Sequence, residues 1–137
     1  SRPVKLGGKR LLDGGVSDPI PVKWMLSRGY EKNVVVLTRD VKYRKKANPK
    51  MQLFLKAVLH KYPAFLKDLE ERHIHYNETL EELSALEKEG RVHIIRPSSP
   101  IQAAMIERDE SNLERIYQTG RADMKKDLEK LKAYLDS

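Results

Sequence analysis

The run Val34-Val35-Val36-Leu37 indicates the fold class of this chain more clearly than any other stretch. Four consecutive apolar residues, three of them β-branched, are typical of a strand buried on both faces, as in a parallel sheet. Upstream, residues 10–12 predict a short strand, and residues 21–29 predict a helix that begins at a proline and ends at a glycine. Strand, helix and strand within about 30 residues form a βαβ unit. We therefore expect residues 10–12 and 34–37 to be neighbouring parallel strands.

Downstream of this unit, the apolar spacing predicts two helices and a third strand. Asn48-Pro49 supplies a cap and a first-turn proline for a helix that reaches about residue 61. After Tyr62-Pro63, a longer helix is predicted to run to about residue 89. Its apolar stripe, spaced by three and four, consists of Leu66, Leu69, His73, Tyr76, Leu80 and Leu83. Residues 92–96 are then predicted to form the third strand.

The last predicted helix begins at Ser111, because Glu114 three residues later would complete a capping box. The fold class that follows is α/β, a mostly parallel sheet with helices on both faces. Three short strands make a thin, incomplete sheet, so we expect further strands to come from sequence outside this chain. Residues 1–137 are interpreted as a single domain, since this length supports one core.

The composition excludes some classes of site and leaves others open. The chain carries a net charge of +7 and contains no cysteine, which excludes disulfides and thiolate metal sites. Residues 42–50 contain five basic residues and no acid. This segment is either a patch for anionic membranes or nucleic acid, or a solvated loop, and the second is favoured because charge runs are common on surfaces. Aromatic RNA-recognition patterns and zinc-finger spacings are absent, so no specific nucleic-acid partner is expected.

The most informative segment for function is Asp13-Gly14-Gly15, which directly follows the apolar pair Leu11-Leu12. Glycines allow a sharp turn, so a strand end here could present the Asp13 carboxylate in a cleft. Asp-Gly pairs are also common in surface turns, which is the competing interpretation. Asp18, close by, is assigned a structural role as a cap of the following helix.

Residues 11–22 resemble the D-G-G segment of bacterial patatin-like phospholipases. The similarity covers nearly the whole chain, but only the C-terminal half of such an enzyme. Shorter matches lie at residues 33–39, 43–46, 76–77, 87–90, 94–97 and 113–120.

The resemblance implies a Ser-Asp dyad, in which a serine on a G-x-S-x-G elbow attacks a lipid ester and the D-G-G aspartate is its base. Asp13 matches that aspartate, and Gly14 and Gly15 match the motif turn. The elbow and the glycine-rich oxyanion loop have no counterpart here, because Pro19 stands where the closing glycine of residues 15–19 should be. Ser17 is therefore interpreted as a turn or capping hydroxyl, and the chain alone is expected to be inactive.

The implied partners are a lipid ester substrate, the N-terminal half of the same enzyme and, peripherally, an anionic membrane surface. The implied location is the cytoplasm. No cofactor is expected, and no metal either, since His73 and His75 are two apart on a predicted helix and cannot share an ion. The alternative is a non-enzymatic α/β interaction domain whose basic loop binds acidic partners or membrane.

Overall fold

A computed structural model describes residues 4–103 and 107–137, and the chain divides into two compact units. The first unit comprises residues 1–21 and 44–82, and the second comprises residues 22–43 and 83–137. The described elements are, in chain order, β1 (Val4–Leu6), β2 (Lys9–Leu11), a 3-10 turn (Gly14–Val16), α1 (Val22–Ser27), β3 (Asn33–Val36), α2 (Pro49–Leu59), α3 (Pro63–Lys88), β4 (Val92–Ile95) and α4 (Glu110–Asp136). The chain is thus a mixed α/β protein. The interpretation as one domain and the patatin-like architecture stay predictions.

The first unit opens with a tight hairpin, which corrects the predicted βαβ unit. The strand expected over residues 10–12 forms as β2, but it pairs antiparallel with β1 instead of parallel with β3. Gly7 and Gly8 both adopt positive φ, at 55° and 76°. Two glycines in this conformation suit a two-residue hairpin turn, whose twist matches that of the strands. A partner this close in sequence also costs little loop-closure entropy.

The second unit contains a two-stranded parallel sheet of β3 and β4. The register pairs Asn33 with Val92 and Val36 with Ile95. The buried apolar residues of this unit are Val22, Leu37, Leu83, Val92 and Ile94. The parallel character expected for residues 34–37 is therefore confirmed, with β4 as the partner strand.

The expected burial of residues 34–37 on both faces is wrong for the described chain. Val34 is 42% exposed and Val36 is 68% exposed, on the face of β3 opposite buried Asn33. The reason is that the helices in contact with this sheet, α1 against β3 and α4 against β4, do not cover the face that carries these two valines. An apolar strand face is left uncovered as a result.

The helices begin close to where the sequence predicts, and side-chain caps mark the starts of α2 and α4. Asn48 caps α2 by accepting a hydrogen bond from the N–H of Met51 at 3.1 Å. α4 begins earlier than predicted, because Asp109 accepts hydrogen bonds from the N–H groups of Ser111 and Asn112. The cap is therefore Asp109, and the capping box predicted at Ser111 is wrong. Of the helices that the structure describes, none has the length and apolarity needed to cross a bilayer.

Candidate functional site

Asp13 follows the end of β2 and fixes the turn in which it lies. Its Oδ1 accepts a hydrogen bond from the N–H of Gly15 at 2.8 Å, and its carbonyl accepts one from Val16 at 3.1 Å. The side chain is exposed, and within the described residues its Oδ2 accepts no hydrogen bond. One carboxylate oxygen is thus held by the backbone while the other is open to an incoming donor.

The two glycines of the motif differ in what the structure requires of them. A Cβ on Gly15 would lie 3.2 Å from Oδ1 of Asp13 and 3.9 Å from Nη2 of Arg72, which is tight packing. A Cβ on Gly14 would meet nothing within 4 Å. A side chain at position 15 would thus require the Asp13 carboxylate to move by a few tenths of an ångström, whereas position 14 has steric room.

The other polar residues of the turn act locally. The Ser17 hydroxyl donates to the carbonyl of Gly14 at 3.3 Å, which confirms the interpretation of Ser17 as a turn hydroxyl. Asp18 donates its backbone N–H to the same carbonyl at 2.9 Å. Its carboxylate makes no hydrogen bond in the part of the chain that is described, and α1 begins only at Val22. The cap role predicted for Asp18 is therefore wrong.

A cavity of about 310 Å³ lies beside this turn. It is lined by Val16, Ser17, Pro19, Asp68, Arg72 and His75. Sequence analysis did not select Asp68 or Arg72, because they lie more than 50 residues from the motif. Their signal is the spacing of 68, 72 and 75, which places three polar side chains on one face of α3.

Both histidines of α3 contact groups on their own helix. Nδ1 of His73 lies 2.9 Å from the carbonyl of Glu70. Nδ1 of His75 lies 3.2 Å from a Glu78 carboxylate oxygen, and its Nε2 lies 3.6 Å from Glu71. Across residues 4–103 and 107–137, no group of three or more metal-ligating side chains is assembled.

The basic segment 42–50 is mostly exposed, but Lys45 is held in place. Its backbone N–H donates to Oδ1 of Asn77 at 2.8 Å, and Nδ2 of Asn77 donates back to the Lys45 carbonyl at 3.0 Å. The ammonium group lies 5.5 Å from the ring centroid of Tyr76, a cation–π distance. The exposure of this segment agrees with a binding patch as well as with a solvated loop, and Lys45 is positioned by α3.

In the second unit, a largely apolar cavity of about 320 Å³ lies at the carboxyl ends of β3 and β4. It is lined by Val36, Leu37, Thr38, Ile95, Arg96, Pro97, Ile101, Ile116, Thr119, Gly120, Asp123 and Met124. In open α/β sheets this edge is where ligands bind. Its lining suits an apolar group such as a hydrocarbon chain.

Asp123 fixes the loop beside this cavity. Its carboxylate accepts a hydrogen bond from the N–H of Ser98 at 2.9 Å. This backbone hydrogen bond, together with one from the Ser98 side chain, lowers the pKa of Asp123 below its ordinary value, because both favour the charged form.

Comparison with known protein families gives one match, to the model described as Domain of unknown function (DUF6363), over residues 62–136. The match covers more than half of the chain, which therefore belongs to this family. It spans α3, β4 and α4, and it leaves the Asp13 turn outside the matched range. No curated protein and no solved structure matches the chain.

Proposed function

We propose that this chain is the C-terminal part of a patatin-like serine acyl hydrolase that cleaves a fatty-acyl ester of a phospholipid or related lipid. Asp13 is the base of the Ser-Asp dyad in this proposal. The nucleophilic serine and the oxyanion loop belong to the N-terminal half of the same enzyme. The architecture of the complete enzyme is a mostly parallel sheet with helices on both faces.

The observation that supports the proposal most is the hydrogen bonding of the Asp13 carboxylate. The Gly15 N–H holds one oxygen, while the other accepts nothing within the described residues. A general base must reach the proton that it removes at roughly 2.6–3.2 Å, so an oriented carboxylate with an open oxygen fits the role. The serine hydroxyl would lose its proton to this oxygen as its own oxygen bonds to the ester carbonyl carbon.

The second unit supports a larger sheet. Only one edge of β3 has a partner strand among the described residues, and Val34 and Val36 stay exposed. Exposed apolar strands are normally covered or paired, since an open edge is an aggregation hazard. In this proposal, an N-terminal half supplies a strand that pairs with the open edge and a further layer that covers the exposed face.

The proposal predicts that the 137-residue chain alone hydrolyses no ester above background, whereas the longer protein does. In this proposal the nucleophile and the oxyanion loop lie in the N-terminal half, and oxyanion stabilisation is usually the largest catalytic contribution. The measurement is the hydrolysis of a p-nitrophenyl ester and of a phospholipid by both proteins. Ser17→Ala in the short chain is the matched control, because Ser17 bonds only within its turn.

Two results would contradict the proposal. One is turnover by the short chain that disappears in Ser17→Ala, which would place the nucleophile here. The other is a longer protein that has no upstream G-x-S-x-G segment and no hydrolase activity. That second result would favour the alternative, an interaction module whose basic loop binds acidic partners.

A further inference from the structure

Two basic side chains of the first unit lie close together without a described acidic partner. Lys45 and Arg72 both line a cavity of about 170 Å³ between the basic loop and α3. Nε of Arg72 is buried, and no hydrogen-bond acceptor reaches it among the described residues. Buried guanidinium N–H groups are normally satisfied, so an unsatisfied one indicates a missing acceptor.

Glu70 also lines this cavity, and its carboxylate forms an ion pair with Lys56, whose Nζ lies 3.1 Å from Oε1. Oε1 of Glu70 is, like Nε of Arg72, buried and without a hydrogen-bond partner among the described residues. Desolvation, followed by repulsion from Arg72, lowers the pKa of Lys45. Two like charges in a partly buried place destabilise each other unless an anion joins them. In this respect the cavity is incomplete without a ligand.

The backbone around Lys45 is organised in advance. Asn77 bonds both the N–H and the carbonyl of Lys45, and the Tyr76 ring lies against the ammonium group. Both residues belong to the same helix as Arg72, so the positions of the two cations are set by one rigid element. Preorganisation of this kind lowers the entropic cost of binding.

We propose that Lys45 and Arg72 form a binding site for a phosphate group. The planar guanidinium fork matches phosphate oxygens in a bidentate manner, while the lysine supplies a point charge. Lys46 lines the same cavity and adds positive charge. The phosphate belongs either to a lipid headgroup or to a soluble phosphate ester. Its assignment to the headgroup of the hydrolysed lipid rests on the proposed function.

The first test measures binding of inorganic phosphate to the purified chain by calorimetry, with sodium chloride at equal ionic strength as the reference. We expect Lys45→Gln and Arg72→Gln each to weaken binding at least tenfold, since each removes a charge-assisted hydrogen bond. Both variants should remain folded, because each also removes the repulsion between the two cations. Lys50→Gln is the matched control, as it removes one exposed charge at the start of α2. Absence of binding by the wild type, or equal weakening in all three variants, would overturn the proposal.

The second test identifies the source of the phosphate. Glycerol phosphate and vesicles of phosphatidylglycerol are compared as ligands of the wild type and of Arg72→Gln. Binding to vesicles that glycerol phosphate displaces supports a headgroup site, and binding to glycerol phosphate alone supports a soluble ester. Phosphate binding by an enzyme without ester hydrolysis would contradict only the proposed function. Hydrolysis without phosphate binding would contradict only this site.

Discussion

Four aspartates of the described chain each accept a hydrogen bond from a backbone N–H. Asp13 bonds Gly15, Asp40 bonds Lys42, Asp109 bonds Ser111 and Asp123 bonds Ser98. The Asp13 bond is therefore a common device for fixing a turn. What distinguishes Asp13 is the glycine at position 15, where a side chain would crowd the carboxylate.

The lowered pKa of Asp123 predicts a specific effect of acid on stability. The folded-state pKa lies below the unfolded one, so the Ser98 contact stabilises the fold above the unfolded pKa. This stabilisation is lost as the pH falls through the folded-state pKa. We expect Asp123→Asn to unfold with a shallower pH dependence than wild type below about pH 4. The effect should be small, since the carboxylate is only partly buried and solvent screens its interactions.

Chemical denaturation at a series of pH values measures this difference. Asp136→Asn is the control, because this exposed carboxylate near the chain end should leave the slope unchanged. An Asp123→Asn profile that coincides with wild type would show that the Ser98 contact does not contribute to folding.

At the level of elements, two residues are candidates for the N-cap of α4. The sequence pattern favours Ser111, because Glu114 completes a capping box, but the structure uses Asp109. We expect Asp109→Ala to reduce the free energy of unfolding by about 1 kcal/mol, the usual cost of a lost N-cap. Ser111→Ala, inside the helix, should change it by only a few tenths of that amount.

Urea denaturation of both variants measures the two free energies under the same conditions. A larger loss in Ser111→Ala than in Asp109→Ala would contradict the observed cap. A loss of the same size in both would mean that Asp109 contributes no more to the start of the helix than Ser111 does.

For the whole molecule, the sequence predicts the elements better than their partners. The helices capped by Asn48 and stopped at Gly90, and the strands containing Val35 and Ile94, follow from local signals. The pairing of β2 also has a local signal, the dipeptide Gly7-Gly8 between two short strands, which the predicted βαβ unit does not use. The pairing of β3 with β4, more than 50 residues apart in the chain, depends on tertiary contacts that a local pattern does not contain.

The residues of the candidate site also divide into those that a local sequence pattern reveals and those that only folding brings together. Asp13 and Gly15 are visible in the sequence because their turn is local. Arg72 is not, since only folding of the first unit brings α3 to the Asp13 turn. The proximity of Lys45 and Arg72 likewise does not follow from the sequence, because it depends on the hydrogen bonds by which Asn77 holds the loop.

The proposed role of Asp13 as the catalytic base can be tested with Asp13→Asn in the longer enzyme. Asparagine can still accept the Gly15 hydrogen bond, so the fold should be retained, and Asn is as good a cap as Asp. It cannot accept the serine proton. General-base catalysis contributes about 10²–10⁴-fold, so the rate of lipid ester hydrolysis should fall at least about 100-fold.

Asp18→Asn is the matched control, since its carboxylate makes no described hydrogen bond and its substitution should leave the rate within a few-fold of wild type. Thermal melts of both variants, recorded beside their hydrolysis rates, separate lost activity from lost folding. If Asp13 is the catalytic base, we expect the Asp13→Asn enzyme to be folded and inactive and the Asp18→Asn enzyme to be folded and active. A folded Asp13→Asn enzyme that hydrolyses ester within a few-fold of wild type would contradict it.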